Sequence, residues 1–306
     1  MTIRFDDQVV IVTGAGQGLG KCHALEFGRR GARVVVNDLG GARDGSGGSL
    51  DAASEVVEEI KAAGGQAVAN GANVADRDAV GEMVSEVIER WGRIDVLVNN
   101  AGILRDKTFA KMELDDFSAV VDVHLAGSVN CTKAVWDHMR ERQYGRVVMT
   151  SSSSGIYGNF GQTNYGAAKM GLVGFMNSLA IEGMKYGIHV NALAPIAATR
   201  MTEDLLPENV LSLLDPASVT PAVVFMAGEL APTRQIIAAG AGVFARVIIQ
   251  ESPGVFLAEE SRDAEHLAEA WDRISSPEGA VELNAGGEQT MKFLRAAAAE
   301  LGIELA

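Results

Sequence analysis

Between Val9 and Ala239 the chain alternates short β-branched runs with longer segments of helical period, and few architectures accept that alternation. The runs are Val9–Val12, Arg33–Asn37, Gln66–Ala69, Val96–Val98, Arg146–Thr150, His189–Leu193 and Gln235–Ala239. Strands joined through a helix return in the same direction, so they pair in parallel, and the helices cover both faces of the sheet. An α/β fold follows as the expectation: a doubly wound parallel sheet of seven strands. Between strands, Leu114, Phe117, Val121 and Leu125 recur at helical spacing, as do Leu172, Phe175, Leu179 and the later Met184. Both sets read as core-facing stripes, on helices expected over Leu114–Arg142 and Tyr165–Lys185. After Gly240 the pattern changes. An apolar run, Gly242–Ile249, precedes Ala264, Leu267, Ala268, Trp271 and Ile274, then Met291, Leu294, Ala298 and Leu301, at helical spacing. Residues 1–240 are thus expected to form the main domain, and residues 241–306 a C-terminal extension packed on it.

With 47% apolar and 22% charged residues the chain can bury an ordinary core. Its apolar stretches break well short of the roughly 18 residues that suggest a membrane span. Met1–Asp7 runs straight into the first strand, with no basic, apolar and small-residue cleavage pattern. Neither membrane insertion nor secretion is signalled. A formal net charge of −14 repels polyanions, which makes nucleic acid a poor partner. Small anionic ligands are not excluded, because a helix N-terminus offers local donors that net charge does not register. Cys22 and Cys131 fall inside expected helices without metal-site or disulfide spacing; they read as reduced packing residues, and no metal site is expected.

Thr13-Gly14-Ala15-Gly16-Gln17-Gly18-Leu19-Gly20 follows the first strand and opens a helix. Its glycines fit G-x-x-x-G-x-G rather than G-x-G-x-x-G. In either register a glycine turn lets the backbone approach a pyrophosphate, and the helix N-terminus offers free N–H groups and the positive end of a dipole. A Rossmann-type dinucleotide site is therefore expected in the main domain. Asp38 ends the second strand 18 residues after Gly20, where a carboxylate can accept hydrogen bonds from adenosine ribose hydroxyls. No arginine immediately follows to offset its repulsion of a 2′-phosphate, so NAD is favoured over NADP. Asn99-Asn100-Ala101-Gly102 lines the path to the nicotinamide. The stretch Gly40–Ser49, with five glycines in ten residues, reads either as a flap over the cofactor or as a mobile connection.

Tyr165 and Lys169 are four apart on one helical face, and Ser152 lies 13 residues before Tyr165 at the end of the fifth strand. Alcohol–carbonyl interconversion needs a proton carrier at oxygen while hydride moves at carbon. A phenol suits if its pKa falls from about 10 towards neutrality, and an ammonium at about 4 Å can supply roughly the 4 kcal/mol this requires. Ser152 would donate to the substrate oxygen as charge develops. Ser152, Tyr165 and Lys169 are the candidate catalytic residues.

Taken together, the glycine turn, Asn99–Gly102, Ser152, Tyr165 and Lys169 resemble the short-chain dehydrogenases/reductases, over roughly Phe5 to Ala239. More narrowly, three strings resemble the dehydrogenase module of peroxisomal multifunctional enzyme type 2 and its bacterial relatives. They are Asn37-Asp38-Leu39-Gly40-Gly41, Ala101-Gly102-Ile103-Leu104-Arg105-Asp106 and Gly155-Ile156-Tyr157-Gly158-Asn159-Phe160-Gly161-Gln162. The resemblance implies NAD-dependent oxidation of (3R)-3-hydroxyacyl-CoA to 3-oxoacyl-CoA, in fatty acid or steroid side-chain β-oxidation, by a homodimer or homotetramer assembled through the two long helices. It implies cofactor contacts from Gly14, Gln17, Gly18, Leu19, Gly20, Asp38, Asn73, Val74, Asn100, Ala101, Gly102, Tyr165, Lys169, Pro195 and Thr199. Three positions depart from the wider family. His124 stands where many members carry a fourth catalytic asparagine, so a proton relay would use its backbone or its ring. Asn73 replaces the usual aspartate, and Ile196 rather than glycine follows Pro195. Ile196–Leu214 is the expected substrate lid.

Arg105, Lys107 and Lys111 read either as contacts for CoA phosphates or as solvated surface charges. Two other functions stay open: a hydroxysteroid or other secondary-alcohol dehydrogenase, and an NAD-binding protein without turnover. The terminal Ile303-Glu304-Leu305-Ala306 lacks a Ser-Lys-Leu-type address, which favours a free-standing cytoplasmic enzyme.

Overall fold

The computed structural model describes residues 2–197, 211 and 213–305. The chain divides into two compact units, 1–246 and 247–306. The sheet comprises β1 (Val9–Thr13), β2 (Arg33–Asn37), β3 (Gln66–Asn70), β4 (Val96–Asn99), β5 (Gly145–Thr150), β6 (Ile188–Ile196), β7 (Ile236–Gly240) and β8 (Val243–Val247). Their order is β3-β2-β1-β4-β5-β6-β7-β8, and β1 to β7 pair in parallel. Every residue of β1 and β5 is buried, as befits strands covered on both faces. The doubly wound α/β class is as expected, with one correction to the strand number. The run after Gly240 is an eighth strand rather than the start of the tail. Ala241 and Gly242 both have positive φ (50° and 74°), the geometry of a two-residue turn, which can join only antiparallel strands.

The helices of this unit are α1 (Gly18–Arg29), α2 (Asp51–Ala62), α3 (Arg77–Trp91), α4 (Leu114–Val121), α5 (Gly127–Glu141), α6 (Ser153–Tyr157), α7 (Thr163–Gly183) and α8 (Thr220–Ala227). On one face α1 packs against α2 and α8, and Phe27, Val56, Ile60 and Val223 join Val10, Val12, Val34 and Val36 in a single core. In a second layer α3 packs against α5, and α4 against α7. Leu172 and Leu179 of α7 are buried as the stripe requires, but Met184 beyond its end is 64% exposed.

The other stripe is corrected by the structure. Leu114 is 75% exposed and Phe117, Val121 and Leu125 are only half-buried, while Val120, His124, Gly127, Ser128 and Cys131 face inward. Period alone cannot choose between the adjacent valines 120 and 121. A π-helical turn at Asp122–Ala126 then inserts a residue and brings His124, not Leu125, to the inner face.

The second unit contains α9 (Ala264–Glu269), α10 (Trp271–Ile274) and α11 (Gly286–Leu301), on the predicted helical spacings. Within it Glu251 and Val281 form an antiparallel bridge, and Lys292 Nζ donates to Glu251 at 2.7 Å. Among the described residues no helix is long and apolar enough to cross a membrane.

Candidate active site

Strand order reverses between β1 and β4, and in doubly wound sheets ligands bind in the crevice beyond the strand ends at such a point. The loops leaving β1 and β4 are sewn together there. Thr13 Oγ1 accepts the N–H groups of Asn100 and Ala101, each at 3.0 Å. Asn100 Nδ2 returns bonds to the carbonyls of Thr13 and Gly14, also at 3.0 Å. The Asn100 side chain therefore shapes the turn, and Thr13 is an organiser that its place in the sequence did not distinguish.

The crevice fits a dinucleotide. Gly14 has φ +61°, and a Cβ there would lie 2.7 Å from Ala101 Cα. A Cβ on Gly20 would fall 2.2 Å from the Gly14 carbonyl oxygen. Only glycine allows this approach of α1 to the turn, and Gln17, at the helix N-cap, makes no side-chain cap bond. The N–H groups of Gly18, Leu19 and Gly20 thus have no intrahelical acceptor and no side-chain cap. Asp38 accepts the Gly16 N–H and the Gly40 N–H, both at 2.7 Å, one on each oxygen. A carboxylate has about four lone-pair sites, which leaves it capacity for ribose hydroxyls.

Val74 is buried, while Asn73 turns its side-chain oxygen back onto the Ala75 N–H at 3.0 Å. The Gly40–Ser49 stretch is docked: Leu104 N–H donates to Arg43 O and Arg105 Nε to Asp44 O, both at 3.0 Å. Pro195 lies near the end of β6. Thr199 and most of the expected lid lie outside the described residues.

Beyond β5, Ser152 caps α6, its hydroxyl oxygen accepting the Ser154 N–H at 3.1 Å. The same hydroxyl pulls the Tyr165 phenol pKa down. Lys169 Nζ donates to Thr150 O at 2.5 Å and sits 5.4 Å from the Tyr165 ring. Ser152, Tyr165 and Lys169, assembled from β5, α6 and α7, do meet.

His124 completes the group, its ring edge-on to Tyr165 at 5.1 Å. Its Nε2 faces both the Ile103 N–H (3.1 Å) and the Ile103 carbonyl (2.8 Å), and can serve only one at a time. Its Nδ1 is buried without a hydrogen-bond partner among the described residues. Gly102 makes room for the ring, since a Cβ there would be 2.2 Å from His124 Cε1. Burial, and then the charge of Lys169, hold His124 far below the usual imidazole range, so it is neutral.

Burial dominates the electrostatics of the group. Burial pushes the Tyr165 phenol up, against a downward pull from Ser152, while the Asp106 carboxylate adds to the rise. Burial also lowers Lys169 to about 7, its Nζ donating to the Thr150 carbonyl. Burial thus weakens the ammonium that was expected to acidify the phenol.

A glycine turn at a sheet switch point, with Ser, Tyr and Lys converging beside it, defines a nicotinamide-dependent oxidoreductase acting on CH–OH groups. The short chain dehydrogenase profile matches residues 8–209, and the chain belongs to the short-chain dehydrogenase/reductase family. It is 47% identical over 291 residues to peroxisomal multifunctional enzyme A of Dictyostelium discoideum, covering 94% of this chain and 65% of that protein. Full-length peroxisomal multifunctional enzyme type 2 from Drosophila melanogaster superposes with a TM-score of 0.79 at 36% identity, over 96% of this chain and 50% of that one. A 7α-hydroxysteroid dehydrogenase complexed with NADH and 7-oxo glycochenodeoxycholic acid superposes at 0.70 with 26% identity, over 78% of this chain and 95% of that one. The chain thus spans 65% of the first relative and half of the second.

Proposed function

We propose that the protein oxidises (3R)-3-hydroxyacyl-CoA thioesters to 3-oxoacyl-CoA with NAD. The observation that carries the reading is the convergence of Ser152, Tyr165, Lys169 and His124 around one phenol. Its substrate arm rests on similarity to multifunctional enzymes over nearly the whole chain. Asp38 supports NAD over NADP, because its carboxylate stands beside the glycine turn and would repel a 2′-phosphate.

When bound, the oxidised nicotinamide supplies the hydride-accepting carbon and a positive ring charge that favours phenolate. Tyr165 Oη takes the substrate hydroxyl proton. Ser152 has its oxygen engaged by the Ser154 N–H, so its own hydrogen is available to the substrate oxygen. Lys169, held by Thr150 O, steadies the phenolate and binds ribose. His124 sets the Tyr165 ring edge-on, and its buried Nδ1 is placed to hold a water in the proton path.

Arg105 and Lys107 are gathered by Asp116, at 3.3 and 2.9 Å. We read them, with Lys111, as the approach for the CoA phosphates. Apolar residues left exposed on α5 and α7, such as Val129, Met170 and Ile181, support a homodimer or homotetramer. Free Cys22 and Cys131 support a reducing compartment, of which the cytoplasm is our choice.

The test is steady-state turnover of 3-hydroxyacyl-CoA with NAD and with NADP, in wild type and Tyr165→Phe. NAD-dependent thioester oxidation that falls at least about a thousandfold in the variant is expected. Turnover of hydroxysteroids or free alcohols with none of the thioester would replace the substrate, and micromolar NAD binding with no turnover of any alcohol would reject the enzyme reading.

A further inference from the structure

Two of the strings that resemble the multifunctional enzymes, Ala101–Asp106 and Gly155–Gln162, are bonded to one another. Gln162 Nε2 donates to Asp106 Oδ2 at 2.6 Å. Its Oε1 accepts from Ser154 Oγ at 2.8 Å and from Asn159 Nδ2 at 3.0 Å. These partners fix the amide orientation, since a carboxylate needs an N–H and two donors need an oxygen. One residue into α7, Asn164 is fully buried, donates to Arg105 O at 3.0 Å and accepts the Tyr165 N–H at 2.8 Å. Three segments meet at the Gln162 side chain: the strand exit after β4, the loop that leaves α6, and the N-cap of the helix that carries Tyr165.

We propose that Gln162 and Asp106 are positioning residues, a latch that fixes Ser152 and Tyr165 relative to each other. The path is continuous. Asp106 holds Gln162, Gln162 holds the Ser154 hydroxyl, and the Ser154 N–H holds the Ser152 oxygen. At the other end Gln162 occupies the N-cap position of α7, without a side-chain cap bond, and its backbone carbonyl accepts the Gly166 N–H at 2.7 Å in the turn that carries Tyr165. The chemistry of a secondary alcohol needs a donor and a proton acceptor aimed at one oxygen, and that aim depends on α6 and α7 staying in register. Among the described residues, the charged or titratable groups acting on the phenol are Lys169, His124 and Asp106. The latch therefore also holds the Asp106 carboxylate, whose charge adds to the rise of the Tyr165 phenol.

This deepens the dehydrogenase reading and rests on it. The test compares Gln162→Met, Asp106→Ala, their double variant and Asp106→Asn in the full chain, by steady-state kinetics and by hydrogen exchange over residues 153–165. Each of the first two should lose about tenfold in kcat, the effect of one charge-assisted hydrogen bond, and the double variant should lose no more than either. Exchange over 153–162 should accelerate in all three. Asp106→Asn keeps an acceptor for Gln162, so it should regain much of the lost kcat. Without the carboxylate charge, the acid limb of its kcat profile should move to lower pH. Unchanged kcat in the single variants, losses that multiply in the double, or unchanged exchange would overturn the latch. If the wild type accepts another alcohol and no thioester, the substrate reading fails, and the same comparisons are made with that alcohol. If it turns over nothing, exchange alone decides.

Discussion

Lys169→Met should abolish turnover and yet stabilise the cofactor-free protein at neutral and acidic pH. Lys169 is 3% exposed, and among the described residues its only acceptor is the Thr150 carbonyl. Burial takes its pKa from 10.5 to about 7. The folded state therefore disfavours the charged form, at a cost that is full below the folded value and disappears as pH rises past the unfolded one. At 1.36 kcal/mol per unit the limiting cost is about 5 kcal/mol, reached near pH 6, and about 2 kcal/mol remains at pH 9. Methionine fills a similar volume without charge but leaves the Thr150 carbonyl unpaired, a loss of about 2 kcal/mol. The net gain is thus about 3 kcal/mol at pH 6 and about zero at pH 9. At roughly 2–4 °C per kcal/mol for a domain of this size, the melting temperature should rise by about 6–12 °C at pH 6 and little at pH 9. Thermal unfolding of cofactor-free wild type and variant across this range is the assay. A variant that melts lower at pH 6, or an advantage that does not shrink with rising pH, refutes the argument that a buried, unneutralised ammonium is maintained for chemistry at the expense of stability.

Other outcomes follow from close approaches. Gly20→Ala would drive a Cβ to 2.2 Å from the Gly14 oxygen, so calorimetric NAD affinity should fall at least about thirtyfold; retained affinity would remove the turn from the cofactor site. Gly102→Ala would strike the His124 ring at 2.2 Å and should lower kcat about a hundredfold and stability by about 2–3 kcal/mol. Because that damage is steric, adding His124→Ala should cost less in denaturant midpoint than the two single changes summed, and strict additivity would refute the contact.

Much of this was legible in the linear chain because it is local. The β/α alternation fixes a doubly wound sheet, the glycine turn needs only neighbours within one loop, and a four-residue helical offset brings Tyr165 and Lys169 to one face. What escaped depends on position in space. The hairpin to β8 passes through Ala241, a residue type that does not advertise positive φ. The π turn that seats His124 is a one-residue insertion invisible to a periodicity of 3.6. The Asp106–Gln162 bond links residues 56 apart. The sign of the Lys169 shift is a burial effect, which no spacing reveals.

The two N–H groups that Asp38 receives carry a lesson for anyone altering coenzyme choice. One oxygen holds the backbone of the phosphate turn and the other holds the glycine-rich stretch behind it, so a single side chain both discriminates between coenzymes and moors two loops. Exchanging it for a neutral or basic residue to admit the phosphorylated coenzyme would loosen the very scaffold that must cradle it. A successful conversion would have to replace those moorings along with the charge.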